Sequence, residues 1–177
     1  MQPISIHNQE SLPEDELFRK GTGPMAEFYR EIGVQLDFFT PPDTSSLEWL
    51  SGQLPQGQKL LLVHNTYTKA IEMKTAIGNS ADLYWCLCPN ANRYIENTLP
   101  DLTLFEGLED RVVLGTDSYA SNDHLSILDE IKTMQQHKPD LPLSLLLKWG
   151  CLNGASFLGL ENDLGSFEKG KRPGVNL

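Results

Sequence analysis

The sequence predicts an α/β fold in which four consecutive β/α units form a parallel sheet. Four short apolar segments, at residues 3–7, 59–64, 82–87 and 111–115, are predicted to be strands. Longer helical patterns separate them, and this alternation is typical of β/α units. Continuous apolar runs such as Lys59–His64 indicate strands that are buried on both faces. Four units suit either an open α/β sheet or half of an eight-stranded barrel.

Capping and breaking residues indicate where the helices lie. The first helix follows Ser11 with an acidic first turn, the second covers residues 24–32, and a third begins at Asp43 or Thr44. Further helices are predicted at residues 68–77, 102–108 (one or two turns), 124–137 and 142–158. In the last of these, Gly150 and Gly154 allow close packing.

Two observations favour the half barrel. Both ends of the chain look cut in mid-element, because a strand begins two residues in and Val175, Asn176 and Leu177 have a strand-like pattern. Polar residues directly follow several strands, and in an eight-stranded α/β barrel that rim carries the active site. An open phosphate-binding sheet would instead need a Gly- or Ser/Thr-rich loop after the first strand, where this chain has HNQES and the acidic Glu10.

Composition excludes several classes of function. The 177 residues include 24 acidic and 14 basic ones, a net charge of −10, whereas a nucleic-acid binder is expected to be basic. No apolar run approaches the length of a membrane span, and the N-terminus lacks the features of a signal peptide. Three cysteines cannot all pair, so we expect a cytoplasmic protein with Cys86, Cys88 and Cys151 buried in the core. Neither nucleic acid nor membrane is an expected partner.

Histidine and acidic residues follow three of the four strands. His7 and Glu10 come after the first strand, His64 ends the second, and Asp117 follows the fourth. Because a parallel sheet brings these ends to one edge, the side chains are expected to meet there, as a metal site with an attendant acid or base. Singly, each has a structural alternative: a core histidine, a helix cap at Asp117, or a solvated first-turn acid at Glu10. The ordered combination is more specific than any one of them.

These residues resemble the amidohydrolase superfamily, most closely its deaminase and chlorohydrolase branch. The similarity lies in IHNQE, LLLVHN, CPNAN and VLGTDSYASN, which occur in the family's order, and in the stretch from residue 150 to the end. It implies that residues 1–163 are the C-terminal half of a metal-dependent hydrolase TIM barrel, strands five to eight with their helices. Residues 164–177 would begin the return strand to a β-sandwich domain.

The resemblance also implies a role for each site residue. His7 and Asp117 would be ligands of one divalent metal, with Zn²⁺ the first expectation and Fe²⁺ the alternative. Glu10 would shuttle a proton to the ring or leaving nitrogen, and His64 would orient the metal-bound water and the substrate. Asp117 would also accept the proton of that water. The implied reaction is hydrolysis of a non-peptide carbon–nitrogen bond, such as deamination of a small amino-heterocycle, whose identity the sequence leaves open.

One departure from the family pattern is large. The family's His-x-His pair after the first barrel strand is missing, and His124 and His137, on or near one helix, cannot replace it. We therefore expect a C-terminal fragment that is inactive alone, whose partners are the missing N-terminal half of the barrel or a second copy. Self-association is expected because a half barrel exposes unpaired strand edges. The alternative is a non-catalytic subunit or small-molecule-binding protein built on a half barrel.

Residues near the predicted rim are also candidates for substrate contact. They lie on predicted loops and are equally expected as ordinary turn residues: Asn65, Asn90, Asn92, Ser118 and Tyr119. Trp85 lies within an apolar strand and is expected in the core.

Overall fold

The computed structural model describes residues 2–79 and 82–175, and within them the strands form a four-stranded parallel sheet. The strands are β1 (Ile4–Asn8), β2 (Lys59–His64), β3 (Asp82–Leu87) and β4 (Val112–Leu114). They pair in chain order, β1-β2-β3-β4, and every pair is parallel. The predicted fold class, four consecutive β/α units, is therefore confirmed.

Helices separate consecutive strands and also follow β4. They are α1 (Leu12–Lys20), α2 (Pro24–Glu31), α3 (Ser46–Gln53), α4 (Ala70–Gly78), α5 (Pro89–Glu96), α6 (Ile127–His137), α7 (Leu143–Gly150) and α8 (Leu152–Leu158). Two short 3-10 turns, Leu102–Phe105 and Glu109–Arg111, precede β4.

The main core lies between the sheet and the helices that follow each strand. Alternate strand residues point to this side, as the period of two along a strand requires. They are Leu60, Leu62, Leu83, Trp85, Leu87, Val112 and Leu114. The helices and turns add large side chains including Leu47, Met73, Phe105, Ile131, Met134, Leu146 and Trp149. Trp85 is buried here, as predicted.

The opposite, concave face of the sheet carries a smaller apolar layer. Its strand residues are Leu61, Val63, Tyr84, Cys86 and Val113. Helix α8 covers one end of this layer, where the ring of Phe157 packs edge-on against Tyr84 with centroids 5.2 Å apart. The ammonium of Lys59 lies near both rings and donates to the carbonyl of Ser156 at 2.7 Å. The open part of the concave face is therefore at the carboxyl ends of the strands.

Helix α5 was not predicted. Pro89 begins this helix, which carries Asn90 and Asn92. The reason is that proline suits the first turn of a helix, where its missing N–H costs nothing. The prediction that Asn90 and Asn92 lie on rim loops is therefore wrong.

Several helix boundaries also differ from those predicted. Helix α3 begins at Ser46 rather than at Asp43 or Thr44, because Ser45 is its cap. Helix α6 begins at Ile127 rather than at residue 124, because the Ser126 side chain accepts a hydrogen bond from the N–H of Asp129. The apolar segment at residues 142–158 is two helices, because the backbone at Cys151 leaves the helical region with φ −133° and ψ −72°. Gly150 does allow close packing, since a Cβ there would lie 2.8 Å from Ile127.

The last differences concern a cysteine and the tail. Cys86 and Cys88 are buried as expected, but Cys151 is exposed because it sits at the break between α7 and α8. Residues 165–175 contain no strand, and Asn176 and Leu177, which complete the predicted tail strand, lie outside the described residues. None of the helices in the described ranges is long and apolar enough to cross a membrane.

Candidate active site

Strand β1 carries His7 to the concave face of the sheet. His7 is in register with Val63, which belongs to the apolar layer of that face. The alternation along β1 and β2 therefore directs the imidazole away from the helices and toward the barrel interior. Its side chain is 65% exposed, so it lies at the open end of that face.

The His64 side chain also lies at the open end of the concave face, but the strand alternation does not direct it there. As the partner of Asn8 in the register, it should point to the helix side together with Leu60 and Leu62. Instead His64 has φ 76° and Asn65 has φ 58°, both in the left-handed region that non-glycine residues rarely occupy. This turn interrupts the alternation, and the His64 ring lies 5.0 Å from the ring of His7. Backbone strain of this kind is often found at functional sites.

Asp117 comes from the loop after β4. It also has a left-handed backbone, with φ 56°, and its Oδ2 atom accepts a hydrogen bond from the hydroxyl of Ser121. The other oxygen, Oδ1, lies 3.8 Å from Nε2 of His7. The Ser121 contact leaves Oδ1 facing the two imidazoles.

The three side chains form a compact donor cluster. His7, His64 and Asp117 each offer one ligand atom, and these atoms all lie within 4.8 Å of one another. Glu10 joins them, because its Oε1 atom lies 3.5 Å from Nε2 of His64. All four predicted site residues are therefore close together at the carboxyl ends of the strands.

The cluster has the features of a cation site. Nε2 of His64 is buried and has no hydrogen-bond partner among the described residues. Two imidazole nitrogens and a carboxylate oxygen are donors that zinc and other divalent transition metals accept. The residues present therefore fit such a metal, although they supply fewer protein donors than the family pattern, which adds a His-x-His pair.

Asn92 holds the other nitrogen of His64. Its Oδ1 atom lies 2.8 Å from Nδ1 of His64, and both side chains are fully buried. The sequence makes Asn92 a candidate substrate contact, but in the structure it contacts the histidine. Asn92 lies in the first turn of α5, and no local pattern indicates that it contacts a histidine 28 residues earlier.

A carboxylate anchors the loop that carries Glu10. The two oxygens of Glu14 accept hydrogen bonds from the backbone N–H groups of Gln9 and Glu10, at 2.8 and 3.0 Å. The hydroxyl of Ser46 also donates to Glu14. The signal that could have identified this role is the S-x-x-E spacing of Ser11 and Glu14, in which a first-turn glutamate reaches back to backbone N–H groups at the helix start.

Glu72 anchors the same loop from α4. This buried carboxylate accepts from the side-chain amide of Gln9 at 2.8 Å and from the guanidinium of Arg19. The carbonyl of the Gln9 amide accepts in turn from the hydroxyl of Thr68 at 2.8 Å. Hydrogen bonds to Glu14, Glu72 and Thr68 thus stabilise the left-handed backbone at Gln9, which has φ 46°.

Glu130 anchors the loop that carries Asp117. It is fully buried and accepts from the side chain of Asn122 and from both the backbone and the side chain of Asn90. Asn122 also donates to the carbonyl of Thr116 at 2.8 Å, next to Asp117. Burial raises the pKa of the Glu130 carboxyl, and the bonds from Asn90 and Asn122 only partly offset this effect.

The remaining candidates lie at the edge of the site or support it. Asn65 is buried and accepts from the side chain of Asn8 at 3.0 Å, so it joins β1 to β2. Tyr119 is exposed on the loop after β4. Cys88 lies beneath this loop, and a hydrogen bond with Cys86 together with burial raises the pKa of its thiol, which does not favour a thiolate ligand.

Comparison with known proteins adds independent information. The amidohydrolase family matches residues 26–175. The aminodeoxyfutalosine deaminase of a Nitratiruptor species is 30% identical over 131 residues, which are 73% of this chain and 29% of that protein. The adenosine deaminase of Helicobacter pylori is 25% identical over 177 residues, 98% of this chain and 42% of that protein. The chain thus spans less than half the length of these relatives.

Solved structures share the fold. The Helicobacter pylori aminofutalosine deaminase in complex with methylthio-coformycin has a TM-score of 0.75 and 25% identity, covering 96% of this chain and 41% of that one. An adenosine deaminase from Xanthomonas campestris with bound zinc has a TM-score of 0.63 and 22% identity, covering 96% and 35%. Both comparisons support the predicted half barrel, and the family match extends over most of the sequence. The chain belongs to the amidohydrolase family.

Proposed function

We propose that this chain forms the C-terminal half of the active site of a metal-dependent deaminase acting on an amino-heterocycle of the adenine-nucleoside type. The observation that carries the proposal is the convergence of His7, His64 and Asp117, with ligand atoms within 4.8 Å of one another and Glu10 beside them. The relatives named above, which deaminate adenosine and aminodeoxyfutalosine by their names, support the substrate class.

His7 and Asp117 would hold the metal, and His64 is a third donor within reach. Zn²⁺ is the metal we propose, because imidazole and carboxylate groups are its usual ligands, with Fe²⁺ the alternative. When bound, the metal supplies hydroxide near neutral pH by lowering the pKa of a coordinated water to about 7. The family's further ligands, the His-x-His pair, would come from a segment outside this chain.

The chain's own residues would then handle protons. Deamination adds water to the amino-bearing carbon, protonates the ring nitrogen and releases the amino group as ammonia, so protons must move between water, ring and leaving group. Asp117 Oδ1 is free of the Ser121 bond and can accept a proton, and Glu10 can deliver one to nitrogen. His64 presents Nε2 to the same space and would orient the substrate and the water.

The half barrel also needs a covering partner. Ile4 and Ile6 of β1 remain 41% and 38% exposed, although they face the helix side of the sheet. We propose that the N-terminal half of the barrel, or a second copy of the chain, covers this edge strand. The three free cysteines are in keeping with the cytoplasmic setting that we propose.

Glu10→Gln tests the proposal. In the complete protein that contains this chain, loaded with Zn²⁺, we expect ammonia release from adenosine or 5-methylthioadenosine to fall about 10²- to 10⁴-fold in the variant, because the proton shuttle is lost. The matched control is Glu27→Gln, an exposed acid on α2, which should leave the rate unchanged. Metal-loaded protein that binds these nucleosides but releases no ammonia would refute the proposal and favour a non-catalytic binding protein.

A further inference from the structure

We propose that Asn92 is a positioning residue that fixes the tautomer of His64, so that an unprotonated Nε2 faces the site. The inference rests on the proposed function only for its catalytic consequence. Its basis is the 2.8 Å contact between Nδ1 of His64 and Oδ1 of Asn92, inside a region where both side chains are fully buried.

The proton on the ring follows from this contact. A side-chain amide oxygen can only accept a hydrogen bond, so in this orientation of the Asn92 amide Nδ1 of His64 carries the hydrogen. A neutral imidazole has one protonated and one unprotonated nitrogen, which leaves the lone pair on Nε2. Asn92 therefore determines what His64 offers to the site.

Nε2 faces a space where a donor or a cation is needed. Nε2 is buried, has no hydrogen-bond partner among the described residues, and lies 3.5 Å from Oε1 of Glu10. Two acceptors that face each other at this distance are favourable only when a donor or cation stands between them. A water hydrogen, a proton on Glu10 or a metal ion meets that need. An N–H at Nε2 would also meet it by donating to Glu10, so the contact at Nδ1 with Asn92 is what decides the tautomer.

Helix α5 explains why Asn92 can hold the ring in one orientation. Asn92 lies in the first turn, where its N–H donates to the carbonyl of Cys88 at 2.9 Å. The neighbouring Asn90 fixes the same turn, because its backbone and side chain both bind Glu130 of α6. The amide is thus attached to a helix rather than to a loop, which favours precise positioning.

Nitrogen NMR of the histidine rings tests the tautomer directly. In metal-free full chain labelled with ¹⁵N-histidine, at a pH where imidazole is neutral, the signals of His64 are assigned by their loss in His64→Asn. We expect protonated Nδ1 and unprotonated Nε2 in the wild type and in Asn92→Asp, which keeps the acceptor. In Asn92→Leu the protonation should move toward Nε2.

The same variants connect the tautomer to activity. In the complete, metal-loaded protein we expect Asn92→Leu to lower the deamination rate about 10- to 100-fold, the usual effect of losing a partner that orients a site histidine. Asn92→Asp should recover most of this loss. The matched control is Asn153→Leu, which removes a buried amide that binds the carbonyls of Glu109 and Val112 and should leave the His64 tautomer unchanged.

Two results would overturn the inference: a protonated Nε2 on His64 in the wild type, or an unchanged tautomer in Asn92→Leu. If Asn92→Leu does not fold, the wild type still tests the inference, because a protonated Nε2 there would overturn it. Failure of the proposed function gives a different result. The tautomer of His64 would still depend on Asn92, but the wild-type protein would release no ammonia.

Discussion

Nε2 of His7 lies 3.8 Å from Oδ1 of Asp117, although the two residues belong to opposite edges of the sheet. His7 is on β1, and Asp117 follows β4. In a flat sheet, strands three places apart are separated by about 14 Å, so the contact requires a strongly curved sheet. The sheet must therefore be curved, as in a barrel, for His7 and Asp117 to meet. Flattening the sheet would separate them.

Metal affinity tests this relationship. Replacing His7 and Asp117 together by alanine should weaken Zn²⁺ binding more than about a hundredfold, since loss of groups that only orient ligands already costs about 10- to 100-fold. The measurement is a competition titration against a chromogenic chelator, with the full chain. His137→Ala, at the end of α6, is the control and should bind like the wild type. A double variant with wild-type affinity would show that these two residues are not ligands.

Glu14→Gln should destabilise the fold through the loop that carries Glu10. An amide has one acceptor oxygen, whereas the carboxylate accepts from the N–H groups of Gln9 and Glu10 on separate oxygens. At least one donor loses its partner, and we expect a loss of about 1–3 kcal/mol in the free energy of unfolding. Urea denaturation measures it.

The control for this variant is Glu16→Gln on the same helix. The Glu16 carboxylate accepts a hydrogen bond from the hydroxyl of Thr22 in an exposed position, so the change should cost little. Equal stability of the Glu14 and Glu16 variants would mean that Glu14 does not anchor the loop.

Much of the fold could be predicted from local sequence, because each β/α unit is built from residues close together in the chain. The apolar runs of β2 and β3 predict both strands correctly, and their buried faces follow from the period of two. Helix α5 is hard to predict because a proline after a strand is equally consistent with a loop and with the first residue of a helix. The exposure of Cys151 depends on a backbone break that no local pattern indicates.

The site was also only partly predictable from local sequence. Its members could be named because each follows a strand, and strand ends meet at one edge of a parallel sheet. The side-chain direction of His64 could not be predicted, since it results from a positive φ that opposes the alternation of β2. Asn92 and Glu130 act across 28 and 40 residues and leave no local signal, whereas Glu14 binds N–H groups only four and five residues before it.

Gly115→Ala should disturb both stability and the site. A Cβ at Gly115 would lie 2.7 Å from Sγ of Cys86 and 3.4 Å from Sγ of Cys88, both of which are buried. Such overpacking costs about 1–3 kcal/mol, measured by urea denaturation. Because Gly115 is two residues before Asp117, Zn²⁺ affinity should fall as well.

Replacing Cys86 by alanine in the same protein shows whether Gly115→Ala destabilises by a clash with the Cys86 sulfur or by a change in the backbone. In Gly115→Ala with Cys86→Ala the Cβ has room, so stability should be higher than the two single changes predict when added. The control is Gly52→Ala in α3, where a Cβ meets nothing within 4 Å and helix propensity favours alanine. Simple additivity of the Gly115 and Cys86 changes would contradict the packing explanation.

Glu130 should make stability depend on pH in the opposite sense to an ordinary salt-bridged acid. Burial raises the pKa of its carboxyl above the usual 4.5, so the folded state binds the proton more tightly than the unfolded state. Its contribution is therefore fully present below pH 4.5 and is lost as the pH rises through the folded-state value. In Glu130→Gln this dependence is absent, so the advantage of the wild type over the variant should shrink as the pH rises and then become constant.

Urea denaturation of both proteins from pH 4.5 to neutrality measures that difference. Asp129→Asn is the control on the same helix. A hydrogen bond from Lys132 lowers the pKa of the half-buried Asp129 below 3.8, so its contribution is lost only at more acidic pH and stays constant over this range. A wild-type advantage over Glu130→Gln that grows with pH would mean that the hydrogen bonds from Asn90 and Asn122 outweigh burial. The anion would then be the form of Glu130 that holds the Asp117 loop.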